Sequence, residues 1–298
     1  MISINIPPAT AEPSETLHYD GMASSDYLDM HTRQQASAQL IEEMPLAISY
    51  NGLGHAVMMV TPRDLEDFLF GFSLSEGVIN SADEIRDWSI EAAPLSCHLD
   101  TSAATALAAD IHLSPRVLDS LKQTRKRRQG ATGCGICGIE SLDEAMPPLP
   151  RLEASPPPPL SQLEPLRDYL FSQQTLGGQA GAIHAAALLD PDGQLLACRE
   201  DIGRHNALDK LIGASLRARR DLRGHAAVMS SRCSTELIQK ALRAGLSTLI
   251  HLASPSVLAV QLARRQGLNL IHLPRHSGPR LYAGAALDTA PCAHKETP

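Results

Sequence analysis

The sequence predicts an α/β protein in two parts, a smaller N-terminal α+β domain and a larger C-terminal α/β domain. Three observations predict it. Strand and helix patterns alternate from residue 183 to residue 273, a hairpin and an amphipathic helix open the folded region near residue 43, and prolines crowd the stretch 147–159 between them. Alternation of that kind argues for a sheet with parallel strands covered by helices. Prolines at that density remove the backbone donors that helix and sheet require, and they mark a semi-rigid linker ending near residue 160. At 298 residues the chain is long for one average domain and comfortable for two.

In chain order, residues 1–38 are polar and aperiodic, with Pro7, Pro8 and Pro13 early, and read as a loosely ordered tail. The N-terminal domain spans 39–121. Within it Leu46, Ile48 and Tyr50 alternate before Asn51-Gly52, and His55 to Val60 follow, which is a hairpin by its turn chemistry. Thr61 is placed as the cap of a helix with Pro62 at its first position, because Leu65, Phe68, Leu69 and Phe72 recur at helical spacing before Gly77. Further short strands and a helix are expected between 83 and 121, although residues 103–109 show no pattern that selects a state. Residues 122–160 hold a basic run (Lys122, Arg125, Lys126, Arg127, Arg128), the glycine-rich segment Gly130 to Gly138, and the proline linker.

The C-terminal domain spans 161–288, followed by a short tail at 289–298. Ile183 to Leu189 and Gln194 to Arg199 read as strands joined by the turn Asp190-Pro191-Asp192-Gly193. A helix from about Asn206 to Leu216 follows. Strands at Ala226 to Ser230, Leu246 to Leu252 and Leu268 to Leu273 then alternate with helices at Ser234 to Ala244 and Pro255 to Arg265. Gly245 and Gly267 stand where helix C-caps belong, and Ser254-Pro255 is expected to open the last helix.

Composition narrows the function. Hydrophobic residues make up 43% and aromatics 3%, so the core is aliphatic. A formal charge of −7 disfavours a dedicated nucleic-acid binder, which needs a basic face for phosphate. The start lacks a basic stretch followed by an apolar core, and no apolar run reaches the roughly 20 residues that span a bilayer. These features lead us to expect a cytoplasmic protein without membrane contact, its six cysteines free thiols rather than a disulfide framework.

Two motifs can carry chemistry. Cys134-Gly135-Ile136-Cys137, flanked by Gly133 and Gly138, is a flexible loop that can bring two sulfurs to a partner's surface, and the neighbouring cations favour thiolate over thiol. A redox dithiol, half a zinc site and a persulfide carrier all remain open for it. The zinc reading lacks a second pair, since Cys97, Cys198, Cys233 and Cys292 are isolated, and the redox reading lacks the usual strand-to-helix context. The second motif is Arg199 to Lys210, a dense polar run between a strand and a helix. Gly203 allows a tight turn, and the helix N-terminus beside Arg204 and His205 suits phosphate or pyrophosphate. The plain alternative is a capped helix with solvated charges. His184, inside an apolar strand, reads as a core histidine. Zinc-deaminase catalysis needs His-x-Glu and Pro-Cys-x-x-Cys; His184 precedes two alanines and Cys233 has neither partner, which disfavours that chemistry even if the fold is shared.

These residues resemble the FdhD family of formate dehydrogenase accessory sulfurtransferases. Cys134 to Gly138 is similar to its Cys-Gly-x-Cys-Gly loop, Glu200 to Lys210 to its Glu-Asp-x-Gly-Arg-His-Asn-Ala-x-Asp-Lys block, and Ser230, Arg232 and Glu236 to its Ser-x-Arg-x-x-x-Glu segment. The likeness covers about residues 40–283. It implies a C-terminal domain with a cytidine-deaminase-like three-layer α/β fold, and a protein that moves persulfide sulfur from a cysteine desulfurase to bis-molybdopterin guanine dinucleotide. That molybdenum cofactor, a bound substrate, then enters formate dehydrogenase. By the same resemblance the protein is a homodimer with no tightly bound metal of its own, Cys134 bears the persulfide and Cys137 assists it. The cofactor contacts are Arg204, His205, Asn206 and the segment Leu273, Pro274, Arg275, His276, Ser277 and Gly278. That segment departs from the family's Gly-Phe-x-Arg pattern, keeping only the arginine. Ala180 to His184 departs from Thr-Gly-Gly-x-His. A cofactor-binding chaperone that moves no sulfur, and a dithiol oxidoreductase, stand as alternatives.

Overall fold

The computed structural model describes residues 20–94, 105–131, 147–181 and 183–289. Its first element corrects the sequence reading. Residues 20–38 were assigned to a loose tail, but β1 (Met22–Leu28) and β2 (Gln35–Ile41) pair as an antiparallel ribbon. Its side chains are mostly exposed, so no apolar periodicity announces it.

A four-stranded sheet follows, built from β3 (Met44–Tyr50), β4 (Leu53–Val60), β5 (Ile85–Pro94) and β6 (Thr105–Leu113) in the order β4-β3-β6-β5. The expected hairpin is β3–β4. Asn51 and Gly52 both sit at positive φ, 49° and 74°, the geometry that lets a two-residue turn follow strand twist. Leu46, Ile48 and Tyr50 on β3 and Leu107, Ala109 and Ile111 on β6 form the buried face. The parallel register brings Leu46 beside Leu107 and Ile48 beside Ala109. Residues 106–109 gave no signal because the outward positions are also alanine, which leaves alternation without polarity contrast.

Helix α1 (Leu65–Ser75) covers that face with Phe68, Leu69 and Phe72. It does not start at Thr61 and Pro62 as expected, but after Asp64, which takes a left-handed φ of 53°. Thr61 is engaged elsewhere. Its N–H donates to Asp201 Oδ2 (3.0 Å), its hydroxyl accepts from the Ile202 N–H (3.0 Å) and its carbonyl accepts from Lys210 Nζ (2.9 Å). Buried long-range bonds outcompete a local cap. Helix α2 (Pro115–Ala131) absorbs the basic run at 122–128, which is therefore helical.

The linker residues 147–159 form no helix or strand and are docked. The Leu152 N–H donates to the Gln266 carbonyl (2.8 Å), and the Ser155 carbonyl accepts from Asn269 Nδ2 (3.0 Å). Three short helices come next, α3 (Leu160–Leu163), α4 (Leu166–Ser172) and α5 (Thr175–Ala180), where the sequence suggested no element.

The larger sheet has six strands in the order β12-β11-β10-β9-β7-β8. They are β7 (His184–Leu189), β8 (Leu195–Asp201), β9 (Ala226–Met229), β10 (Thr248–His251), β11 (Asn269–His272) and β12 (Arg280–Ala283). The predicted strands all appear. β9, β10 and β11 run parallel, whereas β7–β8, β7–β9 and β11–β12 are antiparallel, so the sheet is mixed. Helices α6 (Arg204–Arg217), α7 (Thr235–Arg243) and α8 (Val257–Gln266) belong with one face. On the other, Leu163, Leu166 and Leu170 pack over Ala185, Val228, Ile250 and Ile271. This is the three-layer arrangement expected. A last helix, α9 (Ala285–Thr289), follows β12.

Gly245 and Gly267 are left-handed at 73° and 79°, as the cap reading requires. Helix α8 is capped by Ser256, whose Oγ accepts from the Ala259 N–H (3.2 Å), rather than opened by Ser254-Pro255. Pro255 is held extended against Cys233 by an isolated parallel bridge. The two parts of the chain do not keep separate cores. Helix α1 lies directly on α6, and one apolar cluster runs from Leu46 and Phe68 through Leu208 and Leu211 to Leu249.

Candidate functional site

The described candidate cofactor-binding residues lie along one edge of the larger sheet, toward its two ends. The carboxyl ends of β8, β9, β10 and β11 and the amino ends of β7 and β12 lie along one edge of the larger sheet, because His184 pairs with Asp201, Ala186 with Met229, His251 with His272, and His272 with Arg280. Ligand crevices of open α/β sheets form at such edges. Arg204 and His205, at the start of α6, stand at the β8 end of this rim, and residues 273–278, the β11–β12 loop, stand toward the other.

The rim residues differ in what they can offer. Arg204 keeps a buried Nε with no hydrogen-bond partner among the described residues, a donor waiting for an acceptor. His205 and His184 are both held below the ordinary histidine range, chiefly by burial. Arg204 pushes each of them further down. Arg275, His276, Ser277 and Gly278 are exposed, and the Arg280 guanidinium donates to Ser277 Oγ (3.1 Å). Leu273 faces inward: its N–H donates to the His251 carbonyl (2.8 Å), and its own carbonyl accepts from Arg167, which also donates to the Leu252 carbonyl. Arg167 thus ties two rim loops together. Pro274 is half-buried beside it.

Asn206 needs a narrower role than the sequence suggested. Its Nδ2 donates to the Met59 carbonyl (2.8 Å) and to Asp201 Oδ1 (2.9 Å), and the residue is 3% exposed, so only its backbone N–H is left for a ligand. Gly203 is likewise not a tight-turn glycine. Its φ is −95°, and what demands glycine is the Asn206 amide 2.8 Å from where a Cβ would sit.

The polar run 199–210 is mostly not solvated charge. Asp201 and Lys210 are fully buried and form a 2.6 Å ion pair. Asp201 also accepts from the N–H groups of Thr61 and Gly203. Buried Glu200 accepts from the N–H groups of Thr175, Leu176 and Gly177 at 2.8–2.9 Å and so caps α5 from a distance. Asp209 accepts from Lys240 Nζ (2.9 Å) and from Ser75 (2.6 Å). Arg199 grips Asp67 at 2.8 and 2.7 Å. These pairs fasten the hairpin and α1 to the larger sheet, and leave Arg204 and His205 as the members of the run turned to other use.

Sequence reasoning missed a pair of histidines under the rim. His251 is fully buried, with Nδ1 3.1 Å from the Ser231 carbonyl and Nε2 unpartnered among the described residues. Its register neighbour His272 has an unpartnered, buried Nδ1. Burial pushes His251 down to about 4. The sign follows: the unfolded chain takes up this proton near the ordinary 6.5 and the folded chain only near 4, so stability is intact above pH 6.5 and is lost as pH falls between those values. By linkage the loss at pH 5 is about 2 kcal/mol. Between pH 7 and pH 5, urea unfolding should show the wild type losing about 2 kcal/mol more stability than His251→Gln.

Cys134 and Cys137 lie outside the described residues. Cys198 and Cys233 do not compete with them, because burial first, and for Cys198 also Glu200, pushes both thiols up to about 12. Among the described residues no helix is long and apolar enough to cross a membrane.

Fold and rim together define a three-layer α/β protein with a basic rim at the carboxyl ends of its central strands. The chain belongs to the FdhD/NarQ family, whose profile matches residues 41–287. It is similar to the sulfur carrier protein FdhD of Xanthomonas euvesicatoria pv. vesicatoria (strain 85-10), 41% identical over 233 residues, which cover 78% of this chain and 79% of that one. It is 40% identical over 241 residues to the sulfur carrier protein FdhD of Xanthomonas oryzae pv. oryzae (strain MAFF 311018), covering 81% and 82%. A crystal structure of a candidate formate dehydrogenase accessory protein from Desulfotalea psychrophila superposes with a TM-score of 0.64 at 25% identity, covering 89% of this chain and 97% of that one.

Proposed function

We propose that this chain is a sulfur carrier in formate dehydrogenase maturation. It takes sulfur from a cysteine desulfurase as a persulfide on the Cys134 to Cys137 loop and passes it to bis-molybdopterin guanine dinucleotide, its bound substrate, before that cofactor enters the catalytic subunit of formate dehydrogenase. It acts in the cytoplasm as a homodimer. The observation that carries this reading is the single Cys-x-x-Cys pair in a chain that matches proteins named sulfur carriers over about four-fifths of its length.

In the first step the Cys134 thiolate attacks the outer sulfur of the donor's persulfide. A new S–S bond forms, the donor's S–S bond breaks and its cysteine leaves as a thiolate, so no outside oxidant is needed. The rim supports the second half of the reading. Arg204, the backbone N–H groups of His205 and Asn206 at the start of α6 and the exposed Arg275 segment supply the donors that pyrophosphate and guanine groups need.

Incubation with a desulfurase and cysteine should add about 32 Da per transferred sulfur to the peptide bearing Cys134, as expected for a persulfide. Cys134→Ser should abolish both this adduct and formate dehydrogenase maturation, while Cys137→Ala keeps part of each. Maturation left intact by Cys134→Ser would refute the proposal. Cofactor binding with no adduct would identify a chaperone, and a reversible Cys134–Cys137 disulfide essential for turnover would identify an oxidoreductase.

A further inference from the structure

The His205 side chain joins the starts of α6 and α7. His205 Nε2 lies 2.8 Å from Glu236 Oε2 and 3.3 Å from Oγ of Ser234, the N-cap residue of α7. The Glu236 side chain is 68% exposed. A pair with one partner so wet adds little stability, so its effect is on orientation. Burial holds the imidazole below its ordinary range, as do the neighbouring Arg204, Lys240 and His184, while Glu236 pulls the other way. The net result is a neutral ring at neutral pH. A neutral ring that faces a carboxylate through Nε2 must carry its proton there, which leaves Nδ1 as a bare acceptor.

We propose that Glu236 is a positioning residue: by accepting the Nε2 proton it holds His205 in a single tautomer, so that Nδ1 offers an acceptor beside the donors of Arg204 and the helix start. Such a rim selects a ligand with a hydroxyl or amino donor next to its phosphates, as in a nucleoside diphosphate, over bare pyrophosphate. The selectivity half rests on the rim reading given under the proposed function; the tautomer half does not. A first-turn acid that merely complements the dipole of α7 would alter stability and leave both the tautomer and the selectivity unchanged.

Nitrogen NMR of the full-length protein labelled at histidine tests the first half. The wild type should show His205 in the Nε2–H form, Glu236→Ala a mixture, and Glu236→Gln, whose side-chain carbonyl still accepts, the wild-type form. Calorimetry with guanosine diphosphate and with inorganic pyrophosphate tests the second. Glu236→Ala should lower the ratio of the two affinities about fivefold, the size of one ordinary hydrogen bond, and Glu236→Gln should preserve the ratio. An unchanged tautomer in Glu236→Ala, or an unchanged ratio, overturns the proposal. Failure of the wild type to bind either probe would instead overturn the rim reading, and the NMR result would still decide the role of Glu236.

Discussion

Gly213→Ala is expected to destabilise the protein by about 3 kcal/mol or more, at the upper end of overpacking. Two opposing effects set the sign. Alanine is the better helix former, and in an exposed helix interior the exchange would gain up to about 1 kcal/mol. Here, however, a Cβ on Gly213 would lie 1.7 Å from the Asp67 carbonyl oxygen and 2.7 Å from the Gly71 nitrogen. Across the same crossing, a Cβ on Gly71 would lie 1.7 Å from the Asp209 carbonyl oxygen. The obstacles are backbone atoms, so no rotamer change relieves them, and α1 and α6 must move apart along the seam that joins the two sheets. Gly178→Ala on α5, where a Cβ meets nothing within 4 Å, is the control and should be neutral or slightly stabilising. Urea unfolding followed by circular dichroism compares the three proteins, and an unchanged midpoint for Gly213→Ala would show that the two helices are not locked together.

What the sequence revealed and what it hid follow one physical division. Hairpin β3–β4, the strands of the larger sheet and the glycine caps at 245 and 267 rest on local rules, turn chemistry and apolar periodicity, and these are written in neighbouring residues. The start of α1, the fate of Asn206 and the burial of Asp201 and Lys210 are set by partners far along the chain. Thr61 looks like a cap until residue 201, 140 positions away, claims its N–H. The β1–β2 ribbon went unread because exposed strands show no apolar alternation. At the rim, Arg204 and His205 were legible as polar residues at the start of a helix, whereas the 273–278 loop was marked only by the family resemblance. Glu236 was visible only as part of a motif, because its role comes from a contact between two helix starts 31 residues apart. The same charge-dense run therefore held both scaffold and candidate site residues, and spacing alone could not sort them.

Lys210→Met should cost about 3–5 kcal/mol, the usual consequence of leaving one member of a buried ion pair without its partner. Lys210 Nζ lies 2.6 Å from Asp201 Oδ2 and donates to the carbonyls of Thr61 (2.9 Å) and Glu200 (3.1 Å). Methionine fills similar space but leaves those acceptors unmet and an uncompensated carboxylate in the interior. Burial pushes the lysine down and Asp201 pulls it back up, so each group keeps the other tolerable. Adding Asp201→Asn should therefore cost less in the Lys210→Met background than alone, with a coupling of about 1–3 kcal/mol measured by a double-mutant cycle. Simple additivity would mean that the two charges do not depend on each other. The consequence reaches the rim as well, because Asp201 Oδ1 accepts from the Gly203 N–H (2.8 Å) and from Asn206 Nδ2 (2.9 Å), and so sets where α6 begins. On the rim reading proposed above, a protein that loses this pair should also lose affinity for guanosine diphosphate, since Arg204 and His205 are presented by the turn that Asp201 holds.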